Sequence, residues 1–264
     1  MVTSIDINKK QKLKSPILLV GLPGIGLVGK IAIDYVVNEL KPKCKLFATL
    51  ISDSFPPAVH SKNGILELIC DEIYSYRYKN QDYLFLIGPV QPSLVTPSNS
   101  YLHYDFSETI AKFAKKMGVK KIYTFAGLNI GQDRLNKKPK VICVASDIKI
   151  KKDLQKLKIK DLVFEKDNSD TLISGVAGLL IGVAKYKFNI SGCCFMGETN
   201  QKLVFGDSGS AKNVLAVISK LLPFKLDLNK INKEAKKIEN SFSKITTKLK
   251  DLENKKDHPA SYIR

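Results

Sequence analysis

A glycine-rich stretch near the N-terminus has the residue types and spacing that could hold a phosphate group. Residues 18–30 read LLVGLPGIGLVGK and contain Gly24-x-Gly26-x-x-Gly29, the spacing of a dinucleotide-binding turn. The same residues also form Gly24-x-x-x-x-Gly29-Lys30, which is close to a phosphate-binding P-loop. Either motif would act by directing backbone N–H groups at the start of a helix toward a phosphate.

Two details of this stretch count against a nucleotide site. The preceding strand is predicted to end at Gly21, so the glycine triplet begins later than a dinucleotide-binding turn requires. A P-loop needs Ser or Thr after its lysine to hold Mg²⁺, but Ile31 occupies that position. We therefore predict a structural glycine loop in which the missing Cβ atoms let the helix approach the sheet closely. Its members are Gly21, Gly24, Gly26 and Gly29.

The histidines and cysteines do not combine into a catalytic set. His60, His103 and His258 have no acidic residue or cysteine at metal-ligand spacing, so the sequence predicts no metal site. Cys193 and Cys194 lie in an apolar run and are predicted to be core residues rather than nucleophiles. No cofactor is expected.

Serine-rich segments offer two weaker candidates for a reactive site. Ser208 lies in the sequence GDSGS, but no strand–turn–helix elbow surrounds it, so Ser208 or Ser210 is predicted to cap the following helix. The loop over residues 91–101 follows a predicted strand, which is where ligands bind in α/β proteins, yet it contains no obvious base. We expect no catalytic residue in this chain.

Composition indicates a globular protein with a basic surface. The chain of 264 residues is 44% hydrophobic and 26% charged, and its formal net charge is +18. Because the lysines are spread along the chain and arginine is scarce, a nucleic-acid partner is unlikely on sequence grounds, and the charge favours acidic partners.

Cysteine usage and hydropathy point to the cytoplasm. The five cysteines include no C-x-x-C pair, which is typical of reduced thiols in a cytosolic protein. The N-terminus lacks the apolar stretch of a signal peptide. The longest apolar run, over residues 172–184, is too short to span a bilayer, so no membrane association is expected.

Strand-like and helix-like segments alternate through the body of the chain, which predicts an α/β protein with a mixed or mostly parallel sheet covered on both faces. Strands are predicted over residues 17–21, 46–51, 65–78, 83–87, 121–125, 141–145 and 190–195, and helices over 25–40, 98–117, 170–185 and 211–222. We assign residues 1–224 to this domain.

The C-terminal region has a different pattern. Apolar residues recur there at steps of three and four, which predicts a heptad-patterned helix over 225–254 that needs a partner helix. That partner is either its own domain or another subunit, and we favour the intersubunit arrangement. The predicted oligomerisation residues are Leu228, Ile231, Ile238, Phe242, Ile245, Leu249 and Leu252. Residues 255–264 are polar and contain Pro259, so a flexible tail is expected.

Seven motifs follow one another along nearly the whole body of the chain. In sequence order they are GLPGIGLVGK, FPPAVHSKNG, FLIGPVQPS, AKKMGVKKIYTFAGLNIG, SGVAGLLIGVAK, CCFMGET and SAKNVLAVISKLL. Together they resemble the proteasome assembly chaperone family, in its archaeal branch, and seven ordered motifs are more specific than any single one.

This resemblance implies both a fold and a role. The implied fold is a three-layer α/β/α sandwich resembling the nucleoside phosphorylase/hydrolase fold, without the catalytic residues of that fold. The implied role is non-enzymatic: an oligomer, either of one chain or with a paralogous subunit, that assists proteasome core-particle assembly or docks on the proteasome α-subunits. The alternative is a nucleoside- or nucleotide-binding enzyme related to those phosphorylases and hydrolases.

The resemblance also directs attention to the C-terminal tail. Docking in this family can use a terminal motif of a hydrophobic residue, tyrosine and any last residue. This chain ends Tyr262-Ile263-Arg264, with Ser261 before the tyrosine, so tyrosine is third from the end rather than second. We predict that Tyr262, Ile263 and Arg264 bind the partner, although the position of the tyrosine and the serine before it depart from the motif.

Overall fold

Buried apolar runs form a large sheet in the computed structural model, which describes residues 2–8, 11–92, 100–136, 138–165, 172–203, 206–231, 233, 237 and 240. Two further strands form a separate two-stranded ribbon. The strands are β1 (Thr3–Ile7), β2 (Ile17–Gly21), β3 (Lys45–Ser52), β4 (Val59–Lys62), β5 (Ile65–Leu68), β6 (Asp71–Tyr78), β7 (Gln81–Ile87), β8 (Lys121–Asn129), β9 (Val141–Ala145), β10 (Leu162–Phe164) and β11 (Ser191–Thr199).

The large sheet is mixed. Among the described residues its order is β1-β3-β6-β7-β2-β8-β11-β9-β10, so β1 and β10 form the edges. The four central strands β7, β2, β8 and β11 run parallel, whereas β1, β3 and β6 pair antiparallel on one side and β9 pairs antiparallel with β11 on the other. The carboxyl ends of four parallel strands therefore meet at one edge of the sheet, which we call the carboxyl edge.

Helices cover both faces of the sheet. They are α1 (Val28–Glu39), α2 (Ser100–Lys116), α3 (Asp133–Asn136), α4 (Ile148–Lys156), α5 (Val176–Phe188) and α6 (Ser208–Leu221). Residues of α1, α4 and α6 share one apolar cluster, and residues of α2 and α5 share the other. In β2, Leu18 and Val20 belong to the α2–α5 cluster and Leu19 to the opposite one, as the alternation of side chains along a strand requires. This arrangement confirms the predicted α/β/α sandwich.

The predicted elements correspond to most of the observed ones. β2 and β9 have the predicted bounds, and the predicted strand over 65–78 is divided into β5 and β6. α5 begins later than predicted, at Val176, because Gly175 precedes it with a positive φ of 84°. Five described elements were not predicted, because they are short or rich in lysine and have no continuous apolar run: β1, β4, α3, α4 and β10.

The chain after α6 packs back onto the body. Ile231 is fully buried and Leu228 is half-buried, and both join the apolar cluster that contains Leu222 and Phe224. These two predicted oligomerisation residues therefore contact their own domain, and packing continues past the predicted boundary at residue 224. The remaining five, Ile238, Phe242, Ile245, Leu249 and Leu252, lie outside the described residues.

Within the part of the chain that the structure describes, no helix combines the length and apolar character needed to cross a bilayer.

Candidate functional site

The glycine loop lies at the carboxyl edge, where it connects β2 to α1. A short 3₁₀ turn over Ile25–Leu27 precedes α1, and within it Gly26 has a φ of 62°. Leu27, the N-cap residue, also has a positive φ, and no side chain caps the helix. This turn differs from a dinucleotide-binding turn, because two residues with a left-handed backbone directly precede α1.

Close approach of neighbouring atoms explains three of the four glycines, by main chain at Gly21 and Gly29 and by a side chain at Gly26. A Cβ on Gly29 would lie 1.9 Å from the backbone oxygen of Phe125 in β8, and one on Gly21 would lie 2.4 Å from the Gly29 oxygen. A Cβ on Gly26 would lie 2.4 Å from Thr199 Oγ1. Gly24 differs, because a Cβ there would meet only a side-chain nitrogen 3.9 Å away. Space restricts positions 21, 26 and 29 but leaves position 24 open.

The lysine of the P-loop-like motif has internal partners. Lys30 Nζ donates to Asp34 Oδ2 at 2.7 Å and to the Gly88 carbonyl oxygen at 2.9 Å. Lys30 is buried, and Gly88 follows β7. The ammonium therefore ties α1 to the end of a neighbouring strand, and a phosphate would have to displace these contacts.

Asp71 is a buried acid beside this group. Its side chain is fully buried, and a Cβ on Gly88 would lie 1.6 Å from Asp71 Oδ1. Among the described residues neither carboxyl oxygen has a hydrogen bond of standard geometry. Burial raises the pKa of Asp71 well above its usual range, and this outweighs the lowering by Lys30. Burial likewise raises the pKa of Asp34.

Asp71→Asn is expected to change how stability depends on pH. A carboxyl whose pKa is raised on folding binds more protons in the folded state, so stability falls as pH rises above the unfolded value of about 3.9. Asparagine has the same shape and does not titrate, so the variant should be more stable than wild type at pH 7. Urea unfolding between pH 4 and pH 8 measures this difference. We expect it to shrink toward pH 4.

The pKa of Asp71 also depends on the neighbouring charges of Lys30, Asp34 and Glu72. The control variant therefore changes one of these charges and keeps Asp71. Glu72→Gln removes a neighbouring charge without removing the buried acid, and it should leave most of the pH slope in place. A parallel pH profile for wild type and Asp71→Asn would contradict the buried-acid assignment.

Arg134 and Asp207 form an ion pair at the carboxyl edge, next to Gly26 of the glycine loop. Asp207 accepts two hydrogen bonds from Arg134, both at 2.7 Å, one from Thr199 Oγ1 at 2.9 Å and one from the Ser210 amide at 2.9 Å. Its own amide donates to the Gly26 carbonyl oxygen at 2.8 Å. The carboxylate of Asp207 therefore joins α3, β11 and the start of α6, in a place where an anion would otherwise bind, and its amide adds the glycine loop.

The cavity beside the glycine loop is small. It measures about 100 Å³ and is lined by residues 22–25, Gln91, 125–127 and 174–177. Ligand pockets usually measure about 300–1,000 Å³. As bounded by the described residues, this cavity is too small for a nucleoside and has no acid, histidine or lysine in its lining.

A second cavity, of about 360 Å³, lies between β9 and α5. Its lining is mainly apolar and includes Ser146, Ile173, Lys185 and Tyr186. Lys185 Nζ lies 3.1 Å from an oxygen of Asp147, so its charge is already paired. Cys194 also lines this cavity, but burial raises the pKa of its thiol to about 11, so the cavity offers space without an ionised nucleophile at neutral pH.

Four of the five cysteines lie in the core, as predicted for Cys193 and Cys194, whereas Cys70 is half-buried. Burial raises the pKa of Cys194 to about 11 and that of Cys44 to about 12. A hydrogen bond with Cys193, followed by burial, raises the pKa of Cys143. These thiols stay protonated at neutral pH and are poor nucleophiles.

The serine prediction was wrong about the capping residue. Asp207, not Ser208 or Ser210, caps α6, since its carboxylate accepts from the Ser210 amide. Ser208 is the first helical residue, and Ser210 is fully buried. A carboxylate is the better cap here because it also binds Arg134.

The remaining predicted residues are dispersed. His60 lies in β4 and His103 is buried in α2, whereas His258 and residues 93–99 lie outside the described residues. Tyr262, Ile263 and Arg264 lie outside them as well. No group of three or more histidine, cysteine or acidic residues suited to a metal ion occurs in the described part of the chain.

Comparison with known proteins extends these observations. The chain is 32% identical over 236 residues to an uncharacterized protein of Methanocaldococcus jannaschii, covering 89% of this chain and 84% of that one. Pyrococcus furiosus PbaB, an archaeal proteasome activator, has a similar structure, with a TM-score of 0.78 and 27% identity over 93% of this chain and 99% of PbaB. Pyrococcus furiosus PbaA, an archaeal homolog of proteasome-assembly chaperone, shares the fold, with a TM-score of 0.71 and 23% identity over 95% and 99% of the two chains.

The family assignment follows from a match along most of the sequence. The model of the PAC2 family matches residues 18–246, which include the glycine loop, the large sheet from Leu18 of β2 onward and the six described helices. This confirms the resemblance drawn from the seven motifs. The chain belongs to the PAC2 family.

Proposed function

We propose that this chain is a non-enzymatic binding protein that assists assembly of the proteasome core particle or docks on the ring of proteasome α-subunits. The observation that carries the proposal is the similarity to PbaB, an archaeal proteasome activator, along almost the full length of both chains. Family membership over residues 18–246 supports it.

The carboxyl edge supports a binding role rather than catalysis. The charged groups described there, Lys30, Asp34, Arg134 and Asp207, have internal partners. They join loops and helices to the sheet, as expected of groups that stabilise a scaffold. The enzyme alternative would need a reactive group facing a ligand-sized space. Of the two described cavities, the larger offers only the thiol of Cys194, which stays protonated at neutral pH.

The C-terminal tail is the proposed docking element. An aromatic side chain and a terminal carboxylate on a mobile segment can enter a pocket between subunits, and several tails on one oligomer bind more tightly than one. Tyr262, Ile263 and Arg264 are the proposed partner-binding residues. The proposed homo-oligomer would display these tails, with the heptad positions beyond Ile231 joining the subunits.

Deleting residues 262–264 is expected to reduce co-purification of proteasome α-rings at least tenfold, because both the aromatic anchor and the carboxylate position are lost. Capture of α-rings on immobilised full-length and shortened protein, read by quantitative mass spectrometry, measures this. Deleting Arg264 alone makes tyrosine second from the end and should strengthen capture if the motif acts in its usual register.

The control is Ser261→Ala, which leaves the tail length and the tyrosine position unchanged. It should bind α-rings like the wild type. Full capture by the protein lacking residues 262–264 would exclude the tail as the docking element, and failure of the full-length protein to capture α-rings would contradict the proposed function itself.

A further inference from the structure

The larger cavity, between β9 and α5, has the size of a small-molecule pocket, and the proposed function does not use it. Its volume of about 360 Å³ lies within the range of about 300–1,000 Å³ that is usual for ligand pockets. Cys194 and Ile181 in its lining are buried, whereas Tyr186 is 91% exposed, so the cavity extends from the core to the surface. A mainly apolar lining with a few polar groups is typical of a site for an apolar ligand.

Two glycines of α5 line this cavity one turn apart, and packing explains the first. A Cβ on Gly178 would lie 2.5 Å from the side chain of Ile173, so glycine lets Ile173 lie against the helix. A Cβ on Gly182 would meet no described atom within 4 Å. Glycine weakens a helix interior relative to alanine, so the described fold gives no reason for it at position 182. A ligand in contact with the bare helix backbone would supply that reason, because glycine permits the closest approach.

Lys185 brings a positive charge to the cavity. Its side chain is 34% exposed, and Nζ lies 3.1 Å from an oxygen of Asp147, 3.3 Å from Ser191 Oγ and 3.4 Å from Asn189 Oδ1. Strong hydrogen bonds from an ammonium to a carboxylate measure about 2.7–2.9 Å between heavy atoms. The ammonium is therefore held by long, partly exposed contacts that an incoming anion can replace.

Asp147 does not depend on Lys185. It caps α4 by accepting from the Ile150 amide at 3.1 Å, and it also accepts from Ser191 Oγ at 2.6 Å and from Ser146 Oγ at 3.1 Å. The hydrogen bond from Ser191 is the main reason why the pKa of Asp147 lies below its usual range. If Lys185 turns into the cavity, the carboxylate keeps three donors and is not left as an unpaired charge.

We propose that the cavity binds a small molecule with an apolar body and a terminal carboxylate, such as a medium-chain fatty acid. The body would lie against Gly182 and Ile181, and the carboxylate would accept from Lys185. A nucleoside suits this lining less well, since its ring nitrogens and hydroxyl groups would be buried with few partners. A wholly apolar ligand would leave the ammonium without a role. The inference goes beyond the proposed proteasome role and does not depend on it, because it concerns the purified chain alone.

The test compares octanoate with octan-1-ol, which have the same chain length and differ in charge at neutral pH. Calorimetric titration of the full chain should show saturable binding of octanoate at one site per chain. Octan-1-ol should bind about tenfold more weakly, because the alcohol forms no ion pair with Lys185. Octanoate should also raise the thermal midpoint of the protein as its concentration increases.

Three variants locate the site. Lys185→Met keeps the length of the side chain and removes its charge, so it should weaken octanoate binding about tenfold and leave octan-1-ol binding unchanged. Lys187→Met is the matched control and should bind both compounds like wild type, since Lys187 lies on the same helix, pairs with Glu108 and does not line the cavity. Gly182→Leu fills the space beside the helix and should weaken binding of both compounds. Its thermal midpoint should stay at or above that of wild type, because leucine favours a helix.

Equal losses in the two lysine variants, or binding that does not saturate, would mean that scattered surface lysines attract octanoate, and either result would overturn the proposal. It would also be overturned by equal affinities of the wild type for the two compounds, by full binding to Gly182→Leu, or by a wild type that binds neither compound. These readings are independent of α-ring capture, so a negative result here leaves the proposed proteasome role unaffected.

Discussion

Gly29→Ala is expected to lower the free energy of unfolding by about 3 kcal/mol or more. The added Cβ would lie 1.9 Å from the backbone oxygen of Phe125 and 2.5 Å from its carbonyl carbon. Because the obstacle is main chain in a central strand, no side-chain rotation relieves the overlap, and α1 must move away from the sheet. Urea unfolding monitored by circular dichroism measures the loss.

The matched control is Gly24→Ala in the same loop. Gly24 has an extended backbone, and the nearest atom to an added Cβ is Gln91 Nε2 at 3.9 Å, so stability should change by less than about 0.5 kcal/mol. If instead the two variants lose equal stability, close helix–sheet packing is not the reason for glycine at position 29. A ligand role for the loop would then need to be reconsidered.

Asp207→Ala is expected to cost about 4 kcal/mol, because it leaves the buried guanidinium of Arg134 without its carboxylate. The side chains of Asp207 and Arg134 are 3% and 16% exposed, so water does little to replace the lost contacts. The variant also removes the cap of α6, which by itself contributes about 1 kcal/mol. Thermal and urea unfolding of the purified variant measure the total.

Asp153→Ala provides the comparison on the surface. Asp153 pairs with Lys156 at 3.4 Å, but both side chains are largely exposed, so the expected loss is below about 0.5 kcal/mol. A double-mutant cycle that combines Asp207→Ala with Arg134→Met isolates the Arg134–Asp207 pair. The double variant should lose less stability than the two single variants added together. Strictly additive losses would show that Arg134 and Asp207 act independently.

The layers of this fold could be predicted from the sequence because each strand or helix is indicated by the apolar pattern of its own segment. Residues 17–21 and 141–145 are short apolar runs, and they form β2 and β9 with the predicted bounds. α4 was missed because its apolar residues Ile150 and Leu154 are separated by lysines, and only contact with the sheet reveals them as a buried stripe. The pairing order of the strands required long-range contacts that no local pattern encodes.

The partners at the carboxyl edge could not be predicted for the same reason. Arg134 and Asp207 are 73 positions apart, and Lys30 is 58 positions from the Gly88 oxygen that it binds. A usable signal did exist at Asp207, since an aspartate directly before an apolar-periodic helix is a common cap. Nothing comparable identified Asp71, whose importance comes from complete burial rather than from a motif.

The edge strand β10 has a consequence for the protein at high concentration. It is three residues long, and Lys158, Lys160 and Asp161 lie just before it. An incoming strand finds few free backbone groups there, and nearby charges disfavour stacking of further chains. This end of the sheet is therefore a poor template for amyloid-like growth, and ordered association is left to side-chain surfaces.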